Sequence, residues 1–483
     1  MTSHEQERAP GTIPRREFTR RAGLATLSLA MGGCAYGRKV TKKPNIILIL
    51  IDDMGWRDVG FMGSRYYRTP NIDRLSREGM IFTDAYAAAP NCAPSRACLL
   101  TGLYTPRHGI YTVNSSERGN ARHRKLIPVP NTTELDPRFI TMVEALQGAG
   151  YSSVSIGKWH LGNDPGRGPL SQGFDRNIGG GIAGHPPSHF SPYGLRALPD
   201  GPEGEYLTDR LTDEAIRFIE TSGEQPFFLY LTHYAVHTPV QAPEEITAGY
   251  RDVPPSGGQG DPVYAAMIES VDTGIGRLLD SLDAKGQTDN TVVIFCSDNG
   301  GHGAKTSMEP LRGSKGMLYE GGIRSPMIVR WPEQIEAGSR CSEPVIMVDL
   351  LPTILEMAEV VQPAGQMVDG LSLLPLLEGK SGFDRDAIFW HFPAYLEAYA
   401  GMEGHWRTTP AGAVRSGEWK LIEFFEDGNL ELYNLHDDIG EEHDLSEAQS
   451  EKRDELHRLM LDWRERTGAP VPTELNPQFI PDS

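Results

Sequence analysis

Six short clusters place ionisable or nucleophilic side chains together: Asp52-Asp53, the stretch from Asn91 through Cys92 to Arg96, Lys158 with His160, His233 with His237, Asp298-Asn299, and Lys315. Asp52, Asp53, Asp298 and Asn299 offer only oxygen donors. That set suits a hard cation such as Ca2+ or Mg2+ and disfavours zinc. An asparagine in place of a histidine or a further carboxylate points to one metal ion rather than a two-metal centre. Cys92 stands just before Pro94, which suits the first turn of a helix running through Leu100. A thiol at a helix start faces unpaired N–H groups and the positive end of the dipole, so a thiolate there would be acidic and reactive; the plainer alternative is a buried cysteine that caps nothing.

Apolar runs lead into four of these clusters. Ile46 to Ile51 closes on Asp52, Val154 and Ile156 precede Lys158, Phe227 to Leu231 delivers His233 and His237, and Val292 to Phe295 delivers Asp298. Short buried-strand runs alternating with helical patterns predict βαβ units and a large, mostly parallel sheet flanked by helices, an α/β fold. In such sheets ligands bind beyond the carboxyl ends of the strands, so four endings of this kind imply one crevice. Helices are expected over Asn71–Glu78, Thr212–Glu220 and Tyr264–Leu282. Residues 253–262 read as a loop, and the Gly- and Pro-rich stretch 178–194 as a His-bearing wall of a pocket. Past residue 380 the pattern becomes "AIFWHF", "AVRSGEWKLIEFF" and "LELYNL", then a charged helix from about Glu447 to Arg464. This predicts a smaller antiparallel sheet with one helix.

The totals narrow the function. The chain has 483 residues and a formal net charge of -19, which argues against nucleic acid as a partner and requires local cations for any polyanionic substrate. Its five cysteines, Cys34, Cys92, Cys98, Cys296 and Cys341, fit neither a zinc pattern nor a dense disulfide framework, and no essential disulfide is expected. At the N-terminus, Arg15-Arg16 precede an apolar stretch from Ala22 to Gly33, the shape of an export signal over residues 1–34. The arginine pair resembles a twin-arginine address, and Cys34 after "AMGG" resembles a lipoprotein cleavage site. Export to the periplasm or cell surface, with lipid attachment at Cys34, is the expectation.

"CAPSR" followed by "LTG" resembles the signature of the formylglycine-dependent sulfatases, a family of the alkaline phosphatase superfamily fold. "LIDDMGW", "GKWHLG", "HTP", "SDNGG" and "LRGSKGMLYEGGIRSP" match the same family in order and approximate spacing, from about Asn45 to the end. The resemblance implies a catalytic domain over 41–380, a C-terminal subdomain over 381–483, and hydrolysis of sulfate esters. It implies that a formylglycine-generating maturation enzyme oxidises Cys92 to an aldehyde, whose hydrate is the nucleophile. Asp52, Asp53, Asp298 and Asn299 would bind one Ca2+ per chain together with modified Cys92. Arg96 would orient the diol, with Lys158 and His160 beside it, and His237 and Lys315 would face the sulfate and the leaving alcohol. One hydroxyl would attack sulfur in line. His160 would then take the proton of the second hydroxyl, expelling sulfate and restoring the aldehyde. A sulfated saccharide is the expected substrate, by similarity to bacterial sulfatases acting on sulfated sugars. His185, His189, His302, His391, His405, Trp406 and Arg415 are expected on loops near the site, with His185 and His302 the preferred sugar contacts. Two other readings stand beside this one: a phosphoester or phosphonate-ester hydrolase of the same superfamily, and a non-catalytic, glycan-binding surface lipoprotein.

Overall fold

The computed structural model describes residues 42–481 apart from Glu333. The proposed export signal and Cys34 lie outside the described residues. In chain order the first ten strands are β1 (Asn45–Ile51), β2 (Met80–Phe82), β3 (Ala85–Tyr86), β4 (Ser152–Gly157), β5 (Arg176–Ile178), β6 (Phe227–Thr232), β7 (Thr291–Ser297), β8 (Met327–Arg330), β9 (Arg340–Cys341) and β10 (Val345–Ile346). Eight of them form one sheet in the order β5-β4-β6-β1-β7-β8-β2-β9, while β10 pairs with β3. The pairings from β5 through to β7 are parallel. β8 runs antiparallel to both of its neighbours.

The central strands are apolar at nearly every position because both faces are covered. Ile46, Leu48 and Leu50 of β1 pack into one core, with Ala97, Leu99 and Leu100 of the helix Cys92–Thr101. The alternate residues Ile47, Ile49 and Ile51 pack into the other, with the helices Leu207–Thr221 and Pro262–Ala284. This is the two-residue alternation of a pleated strand, with a hydrophobic layer on each side. The observed helices extend the expected ones by a few residues. Pro262 occupies the first turn and Asp261 accepts from the N–H groups of Val263 and Tyr264, which moves that helix start two residues earlier.

Six more strands follow: β11 (Ile388–Phe392), β12 (Leu396–Glu397), β13 (Trp406–Thr408), β14 (Ala411–Ser416), β15 (Trp419–Phe424) and β16 (Leu430–Asn434). β11, β14, β15 and β16 make a four-stranded antiparallel sheet, with β12 and β13 as a separate hairpin pair. The charged helix runs over Ser450–Thr467 and packs its Leu456, Met460 and Trp463 into the first core. No helix among the described residues is long and apolar enough to cross a membrane.

Candidate active site

Strand register alone brings four clusters together. Ile51 at the end of β1 lies opposite Ser297 at the end of β7, so Asp52-Asp53 and Asp298-Asn299 emerge side by side. Gly157 of β4 lies opposite Thr232 of β6, and the chain beyond delivers Lys158, His160 and His237 to the same end. The helix Cys92–Thr101 starts there too. All ten of its residues are buried, and it stops at Gly102, whose φ of 66° suits a glycine and lets its N–H bond the Cys98 carbonyl.

The result is a dense charge cluster. Lys158 Nζ lies 2.6 Å from Asp52 Oδ2. Arg96 forks onto Asp298 Oδ2 at 2.9 and 2.8 Å and donates to the Lys158 carbonyl at 2.8 Å. Lys315 Nζ sits 2.6 Å from Asp53 Oδ1 and 3.2 Å from Cys92 Sγ. Asn299 donates to Asp53 Oδ1 at 2.9 Å. Asp53 itself holds φ at 61°, a conformation that only a few residue types adopt readily. Behind it, Tyr264 Oη is 3.2 Å from the Asp53 carbonyl and donates to buried Asp58 at 2.8 Å.

These residues fit a cation. Asp52, Asp53, Cys92 and Asp298 each present a ligand atom, all within 4.8 Å of one another. Asp52 Oδ1 and Asn299 Oδ1 are buried with no hydrogen-bond partner. Buried oxygens are ordinarily satisfied, so two without partners on residues beside this carboxylate group mark a place for an ion. Burial, and then the neighbouring charge of Asp52, push Asp298 above the ordinary carboxylate range despite Arg96. Burial opposes the charged form of Asp53 as well, but Lys315, His237 and Lys158 hold it far below that range.

The expected acidic thiol is corrected here. Cys92 does open the helix, but it is 1 % exposed and burial pushes its thiol up to about 12, with Lys158 and Lys315 only partly offsetting this. Desolvation outweighs the two lysines, so the encoded side chain is a neutral thiol and a poor nucleophile. Both histidines are neutral for the same reason. Burial, then Lys158 and Arg96, hold His160 well below the ordinary value. Burial and Lys315 bring His237 down to about 3. His237 Nδ1 donates to the Thr238 carbonyl at 2.8 Å, which leaves the Nε2 lone pair facing the site, 3.7 Å from Asp53.

A pocket of about 620 Å³ opens above Cys92, His160, His237 and Lys315. His185 and His302 both line it. His185 lies parallel to His237 at 5.9 Å, and His302 packs on Tyr399 at 4.5 Å. The 178–194 stretch supplies one wall through Ile182, Ala183 and Gly184. The other expected sugar contacts do not face the pocket. His189 is buried and its Nε2 meets the His237 carbonyl, bracing that loop from behind. His391 is buried in β11 against the Pro470 carbonyl, and Arg415 in β14 pairs with Asp84 at 2.7 Å. Trp406 packs on Tyr395 and donates to the His123 carbonyl, and His405 stacks on His123. His391, Trp406 and Arg415 are strand residues, held by pairing that spans distant parts of the chain. His233, on a strand-end run, is fully buried. Arg118, Glu397, Tyr399 and Arg407 line the pocket without having been singled out in the sequence. Polar residues in loops are too common to stand out.

Comparison with known proteins agrees with this architecture. The family model described as Sulfatase matches residues 44–360, and one described as N-sulphoglucosamine sulphohydrolase, C-terminal, matches 313–466. The chain is 33% identical to N-acetylgalactosamine-6-sulfatase of Homo sapiens over 476 residues, covering 89% of this chain and 87% of that protein. It is 31% identical to a sulfatase of Formosa agariphila, covering 84% of each. The crystal structure of Ps i-CgsB in complex with k-i-k-neocarrahexaose superposes with a TM-score of 0.74 at 32% identity, over 90% of this chain and 95% of that one. With its strand ends, charge cluster and pocket in this arrangement, the chain belongs to the sulfatase family and is a sulfuric ester hydrolase.

Proposed function

We propose that the protein removes sulfate from a sulfated saccharide, using a hydrated Cα-formylglycine made from Cys92 and a bound Ca2+. The observation that carries this reading is the position of Cys92. Its neutral thiol sits at a helix start, 3.2 Å from Lys315 and 3.8 Å from Asp53, beside buried oxygens that lack partners. The thiol itself is unfit for attack, and oxidation to an aldehyde by a maturation enzyme turns this position into one that carries a nucleophilic hydroxyl. A hard cation held by Asp52, Asp53, Asp298 and Asn299, with the modified residue 92, supplies Lewis acidity and an acidified hydroxyl.

The remaining steps belong to the side chains. Asp52, Asp53 and Asp298 balance Arg96, Lys158 and Lys315 charge for charge, so a bound divalent ion leaves the site positive. That local field draws a sulfate ester into a protein whose net charge is -19. Lys158 and Lys315 face the charge that builds on the sulfuryl oxygens. His160, held neutral, accepts the proton of the second hydroxyl. His237, helped by Lys315, faces the leaving alcohol, and this pair supplies the proton it needs. A screen of sulfated saccharides, with released sulfate measured by ion chromatography, tests the substrate class. No release from any of them, with aryl sulfate turned over, removes the saccharide assignment.

Two results are expected. Chelation of matured enzyme abolishes turnover and added Ca2+ restores it. The same addition raises stability, by about 2.7 kcal/mol at roughly a hundredfold excess over Kd, read as a shift in the melting midpoint. A midpoint indifferent to Ca2+ contradicts the metal assignment. Because His160 is depressed by burial and neighbouring cations, its base form persists as pH falls. kcat/KM therefore keeps its value through the ordinary histidine range, and a fall with a midpoint near 6.5 contradicts a depressed His160.

The N-terminal residues support export and a lipid anchor at Cys34 as part of the same proposal, with 41–380 as catalytic domain and 381–483 as subdomain. Fractionation of the native host is expected to find the protein with membranes and to find Cys34→Ala released from them. Equal partition of the two contradicts the anchor.

A further inference from the structure

The outer wall of the pocket carries two arginines, and their surroundings differ. Arg118 is neutralised by Glu397 at 3.0 Å. Arg407, beside it in the lining, has no carboxylate within 4 Å among the described residues. Its guanidinium lies 4.1 Å over the ring of Tyr399, and its Nε is buried without a hydrogen-bond partner. Tyr399 is itself fixed: its hydroxyl donates to the Lys315 carbonyl at 3.1 Å and its ring packs on His302 at 4.5 Å. Gly316 completes the seat. A Cβ there would come within 2.8 Å of Arg407 Nε, so the guanidinium rests directly on the backbone that follows Lys315.

Arg407 is thus a positioned cation with its charge unspent, seated against the residue that follows the lysine facing the sulfate. A partly buried guanidinium costs desolvation free energy, and its planar fork matches a sulfate or carboxylate in two-point contact. We propose that Arg407 reads a second negative group on the substrate, a sulfate or a uronate carboxylate on the sugar next to the bond being cut, so that the enzyme selects saccharides with at least two negative groups. This inference rests on the sulfatase reading above and deepens it. Lys315 and Lys158 hold the reacting sulfate, and Arg407 holds the neighbour.

The test compares three disaccharides that share one scissile sulfate. One carries no other charge, one a second sulfate on the adjacent sugar, and one a carboxylate there. The ratio of charged to uncharged substrate is read as kcat/KM on matured protein and as Kd on Cys92→Ala. The wild type is expected to favour at least one charged disaccharide by about 30-fold, the worth of a charge-assisted contact. In Arg407→Gln that preference falls to about 3-fold or less, and Arg407→Lys keeps an intermediate part of it. Preference for only one of the two charged disaccharides identifies the group that is read. A wild type with no preference overturns the proposal. So does an Arg407→Gln that loses activity on all three equally, the mark of a purely structural role. If matured wild type releases no sulfate but the Kd ratio still depends on Arg407, the hydrolytic reading fails and the anion subsite stands.

Discussion

Cys92→Ala is expected to lower sulfate release by about 10^4-fold or more, the scale seen when a nucleophile is removed, while leaving the fold and melting midpoint close to wild type. Cys92 is fully buried, but its Sγ takes only a 3.2 Å contact from Lys315 and a 3.8 Å contact to Asp53. Lys315 keeps Asp53 as its partner at 2.6 Å when the sulfur is gone, so no charge is orphaned. The helix loses no propensity, since alanine is the best helix former. Circular dichroism and melting report the fold, and ion chromatography reports the sulfate. Turnover within tenfold of wild type contradicts the assignment of residue 92 as the nucleophile.

Lys420→Met is expected to destabilise the protein by about 3–5 kcal/mol, the cost of breaking a buried ion pair from one side. Lys420 is fully buried in β15 and bridges Glu320 at 2.9 Å and Glu441 at 2.8 Å, both of them fully buried. Glu320 also receives Arg324 at 2.9 Å and the Tyr86 hydroxyl at 2.7 Å, and its own N–H donates to Glu441. Without Lys420, burial and the charge of Glu320 push Glu441 still further above the ordinary carboxylate range, so it takes up a proton and the ion pair is lost. The consequence reaches the site. The backbone around Glu320 holds two loops, with Gly321 N–H on the Arg312 carbonyl ahead of Lys315 and Gly300 N–H on the Gly322 carbonyl after Asn299. Loss of the bridge therefore also loosens both residues, and kcat falls with stability. Adding Glu441→Gln to Lys420→Met removes the buried acid left without its partner and recovers part of the loss, so the two changes are non-additive. Thermal melts of the single and double variants check this. A Lys420→Met midpoint equal to wild type contradicts the account.

The strands that build the site were legible because strands buried on both faces must be apolar throughout, and β1, β6 and β7 end abruptly where the chain leaves the sheet. Their clusters followed from those endings. The antiparallel insertion of β8 between β7 and β2 was not legible, since four apolar residues carry no sign of strand direction. The burial of His391 and Arg415 escaped for a related reason. Their partners, Pro470 and Asp84, lie far off in sequence, and a histidine or arginine in a strand looks the same whether it faces solvent or a distant carbonyl or carboxylate. The thiol of Cys92 was misjudged in acidity because local sequence shows a helix start but not the desolvation that comes with closure of the core. Arg407 became visible only through what surrounds it, a tyrosine ring, a glycine backbone and no carboxylate.

The proposed chemistry turns on what residue 92 becomes. Mass spectrometry of the tryptic peptide Glu78 to Arg96, from protein made in its native host or together with a maturation enzyme, reads this directly. The expected result is an aldehyde at position 92, in equilibrium with its hydrate and trapped by a hydrazine reagent. An unmodified thiol there, in protein that nevertheless releases sulfate, contradicts it.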